Sequence, residues 1–150
     1  MGPEIMVWAV AAALVAAIFW DCRFGKIPNW LVLGVVALYG AKLALFGGVD
    51  LWQLVFAGGV FVAGFGLFAV GAFGAGAVKL MAAVALFMPL DALGTLGLTL
   101  LAAIIASLVL FSVLRGMAGR DDSPWSVLRK RVIPLAFPIG LTGLVGLFAL

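Results

Sequence analysis

The sequence predicts an all-α, polytopic membrane protein with about six transmembrane helices, built as one domain over residues 1–150. Three observations predict it. Of the residues, 67% are hydrophobic and only 10% charged. Mean hydropathy is +1.34, well above that of soluble domains. Apolar runs follow one another along the whole chain, separated by short connections that carry Gly, Pro or charge. At about 25 residues for each crossing and its loop, this length admits roughly six passes and leaves no room for a soluble domain. Histidine is absent and Cys22 is the only cysteine, which excludes a disulfide framework, a CxxC redox pair and a Cys/His zinc site. No metal or cofactor is expected, and any chemistry must rest on Asp, Glu, Lys, Arg or hydroxyl groups.

The first run, Ile5 to Trp20, follows Glu4 rather than a basic segment and ends at Trp20-Asp21-Cys22-Arg23, with no small-residue cleavage site. It reads as a retained helix and not a signal peptide. The next runs are Trp30 to Phe46, Leu51 to Phe73, Ala77 to Met88, Ala92 to Leu114, and Ile133 to Leu150. The fourth is short. From Ala77 to Pro89 a helix reaches roughly 20 Å, against a hydrocarbon core of about 30 Å. Its start is therefore expected below the membrane surface, with Gly74-Ala75-Gly76 as non-helical backbone satisfied by protein or water.

Charge sets the expected orientation. Arg23, Lys26, Lys79, Arg115, Arg120, Arg129, Lys130 and Arg131 all fall on one side if the helices alternate, while Glu4, Asp50 and Asp91 fall on the other with Lys42. The positive-inside rule then puts the basic connections in the cytoplasm and both termini outside. The net charge of +3 is read through this topology and not as a nucleic-acid footprint. Trp20, Trp30 and Trp125 fit interfacial anchors. Gly58, Gly59, Gly64 and Gly66, like Gly140, Gly143 and Gly146, are expected to be helix-packing surfaces. The basic segment Arg115 to Arg131 reads as a solvated, topology-setting loop, with anionic lipid headgroups or a partner as the other possibility. No long internal repeat supports a transporter of duplicated halves.

Two stretches could carry chemistry. Asp21 closes the first apolar run, where an ionisable group is a functional candidate and where a snorkelling or capping carboxylate is also common. Pro28 and Asn29 suit a helix start, with either Pro at the first helical position or Asn as N-cap. In Phe73-Gly74-Ala75-Gly76-Ala77-Val78-Lys79-Leu80, no strand precedes the Gly-x-Gly, which argues against a phosphate loop. Glycine there permits close backbone approach to a bound strand.

Together these stretches resemble the type IV prepilin peptidase family, in particular the short peptidases of tight-adherence (Flp) pili. Asp21, Ile27, Pro28 and Asn29 match its first motif. Gly74, Gly76, Lys79 and Leu80 match its second, Gly-x-Gly-Asp-x-Lys-Leu, but Ala77 stands where the family has its second catalytic aspartate. Ile133-Pro134 through Pro138-Ile139-Gly140 is similar to the family less specifically. The resemblance implies a bacterial inner-membrane aspartic endopeptidase of the GxGD type, which removes the leader from a prepilin or pseudopilin at the cytoplasmic face. Asp21 would be one catalytic acid and position 77 the other. Gly74 and Gly76 would shape the loop, and Lys79 would orient the site or snorkel to the interface. The implied partners are the prepilin substrate and membrane lipid. The cysteine-bearing region of longer members is missing, so their methylation activity is not carried over.

An aspartic peptidase needs both acids: an ionised carboxylate activates water while its protonated partner donates to the scissile carbonyl. With Ala77 that pair does not exist, and little or no peptidase activity is expected. Asp91 is assigned to the opposite side, and Asp121 and Asp122 fall in the polar loop, so none replaces it. The chain is either an engineered knockout or a natural inactive homologue, and the otherwise intact motif favours deliberate Asp-to-Ala replacement. The competing reading is a non-enzymatic membrane scaffold or small transporter. Fusions test the orientation: alkaline phosphatase is expected to be active when joined after Leu150 and inactive when joined after Arg120. The reverse pattern contradicts the assignment.

Overall fold

In the computed structural model the described residues are 3–48, 50–117, 125–129 and 134–148. They are all helical or in turns. Helices α1 (Pro3–Phe24), α2 (Asn29–Phe46) and α3 (Leu51–Ala69) precede the short α4 (Ala75–Ala85). A 3-10 turn, Leu90–Ala92, leads into α5 (Leu93–Met117), followed by the four-residue α6 (Ser126–Arg129) and then α7 (Ala136–Phe148). Six of these helices have 11 or more residues. Four of the six, α1, α2, α3 and α5, are long and apolar enough to cross a membrane.

Local signals explain most helix ends. Gly25 takes φ 65° and donates its N–H to the Asp21 carbonyl, a left-handed stop that few other residues adopt. Asp50 caps α3 by accepting from the Trp52 N–H at 2.9 Å. Pro134 precedes α7, and Pro138 falls within its first turn, where no intrahelical N–H bond is lost. Three boundaries differ from the sequence expectation. Helix α4 begins at Ala75, because the Gly74 carbonyl accepts from the Ala77 and Val78 N–H groups. The non-helical stretch is therefore residues 70–74 and not Gly74 to Gly76. Helix α3 stops at Ala69, short of Phe73, where a turn centred on Gly71 at φ 77° releases the chain. Helix α7 starts at Ala136, two residues after Pro134, and not at the beginning of its apolar run.

The helices run alternately up and down, and the two short ones sit inside. Helix α7 packs on α1, α5 and α4, while α4 packs on α3, α7 and α2. The burial pattern follows. In α4, Val78, Leu80, Ala83 and Val84 are buried, whereas α3 buries only Ala57 and Gly64 along its 19 residues. The outer helices turn large apolar side chains outward, with Val62 70% exposed and Leu98 70% exposed. Soluble monomers rarely show such continuous apolar surface.

Glycine sets the inner contacts. A Cβ on Gly140 would lie 2.7 Å from Ile18 Cδ1, and one on Gly143 2.7 Å from Leu14 Cδ1. Gly64 similarly meets Val78, and Gly146 meets Met88. Gly58, Gly59 and Gly66 have open space instead, so of the glycines expected in α3 only Gly64 is a packing surface. Gly140→Leu is expected to destabilise the fold by about 1–3 kcal/mol through overpacking. Gly34→Ala, at an open helical position, should be neutral or stabilising by up to about 1 kcal/mol. Chemical unfolding in detergent micelles distinguishes the two.

Candidate functional site

One end of the bundle gathers the end of α1, the starts of α2 and α4, and the start of α7. A cavity of about 340 Å³ opens there, lined by Asp21, Gly25, Lys26, Ile27, Gly74, Ala75, Gly76, Ala77 and Leu135. Asp21 and Ala77 are 56 positions apart and line the same space. Both are buried, Asp21 at 8% exposure and Ala77 at 4%.

Asp21 is held by the backbone of α7. Its Oδ2 accepts the Ala136 N–H at 2.9 Å in a buried hydrogen bond. Ala136 is the first residue of α7, so this N–H is one that a helix leaves without an internal partner. The carboxylate also lies at the positive end of that helix's dipole. Oδ1 makes no hydrogen bond to a described residue. Asp21 itself lines the cavity.

Ala77 is the third residue of α4, with its N–H turned back to Gly74 at 3.0 Å. Its methyl group supplies neither a donor nor an acceptor. Gly76 explains why the two stretches meet. A Cβ there would lie 3.0 Å from Ile27 Cβ and 3.3 Å from the Ile27 carbonyl oxygen, so the first turn of α4 rests directly on the α1–α2 connection. Gly74 has open space around it and serves instead as the N-cap of α4. The close approach expected of both glycines is thus made by Gly76, and to the chain's own backbone.

The other motif residues form a neighbouring arrangement. Lys79 Nζ donates to Asn29 Oδ1 at 3.1 Å, and both line a second cavity among α2, α3 and α4. Pro28 is the N-cap of α2, its carbonyl accepting from the Leu31 N–H. Neither helix-start alternative read from the sequence therefore occurs: Asn29 is the first helical residue, and its side chain binds Lys79 and caps nothing. Asp91 is exposed in the 3-10 turn and does not line the Asp21 cavity. Asp121 and Asp122 lie outside the described residues, as does most of the basic segment before α7. Trp20 packs edge-on against Trp30 at 5.8 Å, and Trp125 against Phe19 at 5.6 Å.

Sequence reasoning missed Gly25 and the α7 backbone as parts of the site. The signal for α7 was present in Pro134 and Pro138, which fix where that helix starts. No protein family, curated protein or solved structure matches the chain.

The Asp21 bond can be tested without reference to activity. Asp21→Ala leaves the Ala136 N–H without its partner and should cost about 1–3 kcal/mol. Asp21→Asn keeps an acceptor oxygen and should lose less. Equal losses in detergent unfolding would contradict the capping role.

Proposed function

We propose that this chain is an integral membrane protein of the bacterial inner membrane with the framework of a prepilin peptidase, an aspartic endopeptidase of the GxGD type. In this reading it acts on type IV, Flp-type prepilins or pseudopilins at the cytoplasmic face, with both termini outside. One observation carries the proposal: Asp21 and position 77, the two places where the motifs call for acids, line one cavity at one end of the bundle. The four long apolar helices and the outward apolar side chains support the membrane assignment.

The proposed chemistry requires two carboxyl groups. Asp21, ionised, would take a proton from water through Oδ1 as the water oxygen adds to the scissile carbonyl carbon. A protonated acid at position 77 would donate to the carbonyl oxygen. Collapse of the tetrahedral adduct then breaks the C–N bond as Asp21 gives its proton to the leaving nitrogen and the acid at position 77 recovers one from the adduct hydroxyl. Ala77 removes the donor, so the chain as it stands is proposed to be inactive in leader removal. Lys26 lines the same cavity as Asp21.

Position 77 suits an aspartate. It is the third residue of α4, and acidic residues in a first turn are favoured by the helix dipole. Ala77→Asp is expected to raise leader removal from a co-expressed Flp-type prepilin by about 10²–10⁴-fold, the scale of general acid catalysis. Adding Asp21→Asn should abolish the gain. Mass spectrometry of the prepilin reads the outcome directly. An intact leader with folded Ala77→Asp protein and a cognate prepilin refutes the proposal.

A further inference from the structure

The cavity beside the Asp21 site has a form that the proposed cleavage reaction does not use. It measures about 550 Å³, within the range of ligand-binding clefts. Helices α2 and α3 are consecutive yet make no extended contact, and α4 lies between them as a floor. Asn29, Val32 and Val36 of α2 form one wall, at helical spacing along a single face. Gly58 and Phe61 of α3 form the other, with open space where a Gly58 side chain would be. The floor is kept low by Ala82 and Ala83.

The groove is apolar except at one end. There Lys79 and Asn29 bond each other, which uses one of the three lysine N–H donors and leaves both N–H groups of the Asn29 amide. Neither side chain has another partner among the described residues, and no acidic side chain lines the groove. Lys79 is thus a cation with no acidic partner among the described residues, facing an apolar trough. Trp30, 61% exposed, follows Asn29 directly and stacks edge-on with Trp20. Tryptophans of this kind settle at headgroup depth, and the long Lys79 stem can carry its ammonium towards that level from a helix that starts below it.

We propose that this groove is a binding site for an anionic phospholipid, with the phosphate held by Lys79 and Asn29 and an acyl chain lying along α4 between α2 and α3. A basic pocket between membrane helices has the chemistry for such a headgroup. A zwitterionic lipid offers the same phosphate but carries its own ammonium beside it, which weakens the pairing with Lys79, and an uncharged lipid offers no anion. The inference rests on the membrane-spanning reading of the long helices and is independent of peptidase activity.

Native mass spectrometry of the purified protein tests it, using equal amounts of phosphatidylglycerol and phosphatidylcholine with matched chains. The phosphatidylglycerol adduct is expected to exceed the other about fivefold, the effect of one lysine on an anionic headgroup. Lys79→Gln should bring the ratio to parity, Lys79→Arg should preserve it, and Lys42→Ala, at the other end of α2, should leave it unchanged. Gly58→Leu, which fills open space in the groove, should reduce both adducts. Glycerol phosphate at equal concentration should displace neither. No preference in the unmodified protein, a preference that survives Lys79→Gln, unaltered binding in Gly58→Leu, or displacement by glycerol phosphate would each overturn the proposal. Circular dichroism and size-exclusion profiles confirm that each variant compared is folded.

Discussion

The hydrogen bond from the Ala136 N–H to Asp21 Oδ2 is the constraint around which this end of the bundle is organised. It joins residues 115 positions apart, in the first and last helices, and it is buried. A helix that starts inside the protein has N–H groups that water cannot reach, and each one left unpaired carries a desolvation penalty. Asp21 answers that need for α7. Once the two helices are fixed together, the α1–α2 connection is held over the start of α4, where Gly76 allows Ile27 to approach without a Cβ in the way. A substitution at Gly76 would act on the site through the backbone, by separating the two stretches that line the cavity.

The short helices follow from the same logic. Eleven residues in α4 cannot reach across a bilayer alone, so its ends must be satisfied within the protein, as the start of α7 is by Asp21. The longer helices surround them. At the other end, the Gln53 amide donates to the Met88 carbonyl at 3.0 Å, serving the chain just beyond α4. Small residues make the interior possible, since Gly140 and Gly143 let α7 lie against Ile18 and Leu14 at distances a larger side chain would forbid.

Much of this architecture was legible in the sequence, for identifiable reasons. The six apolar runs were visible because bilayer-length helices must be apolar around most of their surface, and the shortness of α4 followed from the spacing between Ala77 and Pro89. Asp21 stood out as a carboxylate at the end of an apolar run. The pairing of Asp21 with α7 was not legible, because a backbone N–H donor leaves no trace in residue identity. Nor could the sequence separate glycines that pack from those that do not: Gly58 and Gly64 share a helix and differ only in which way each faces. Asn29 read as a capping residue by its type, yet its side chain turns to Lys79, an interaction spanning 50 positions. Local propensity cannot anticipate a partner that only tertiary structure supplies.

The enclosed position of α4 has a mechanical consequence. Helix α4 touches α2, α3 and α7, and its first turn lines the Asp21 cavity. A shift of any of those three helices would therefore be passed by one rigid rod to the position opposite Asp21. Coupling between a distant lipid-facing surface and the cavity needs no longer path than this helix.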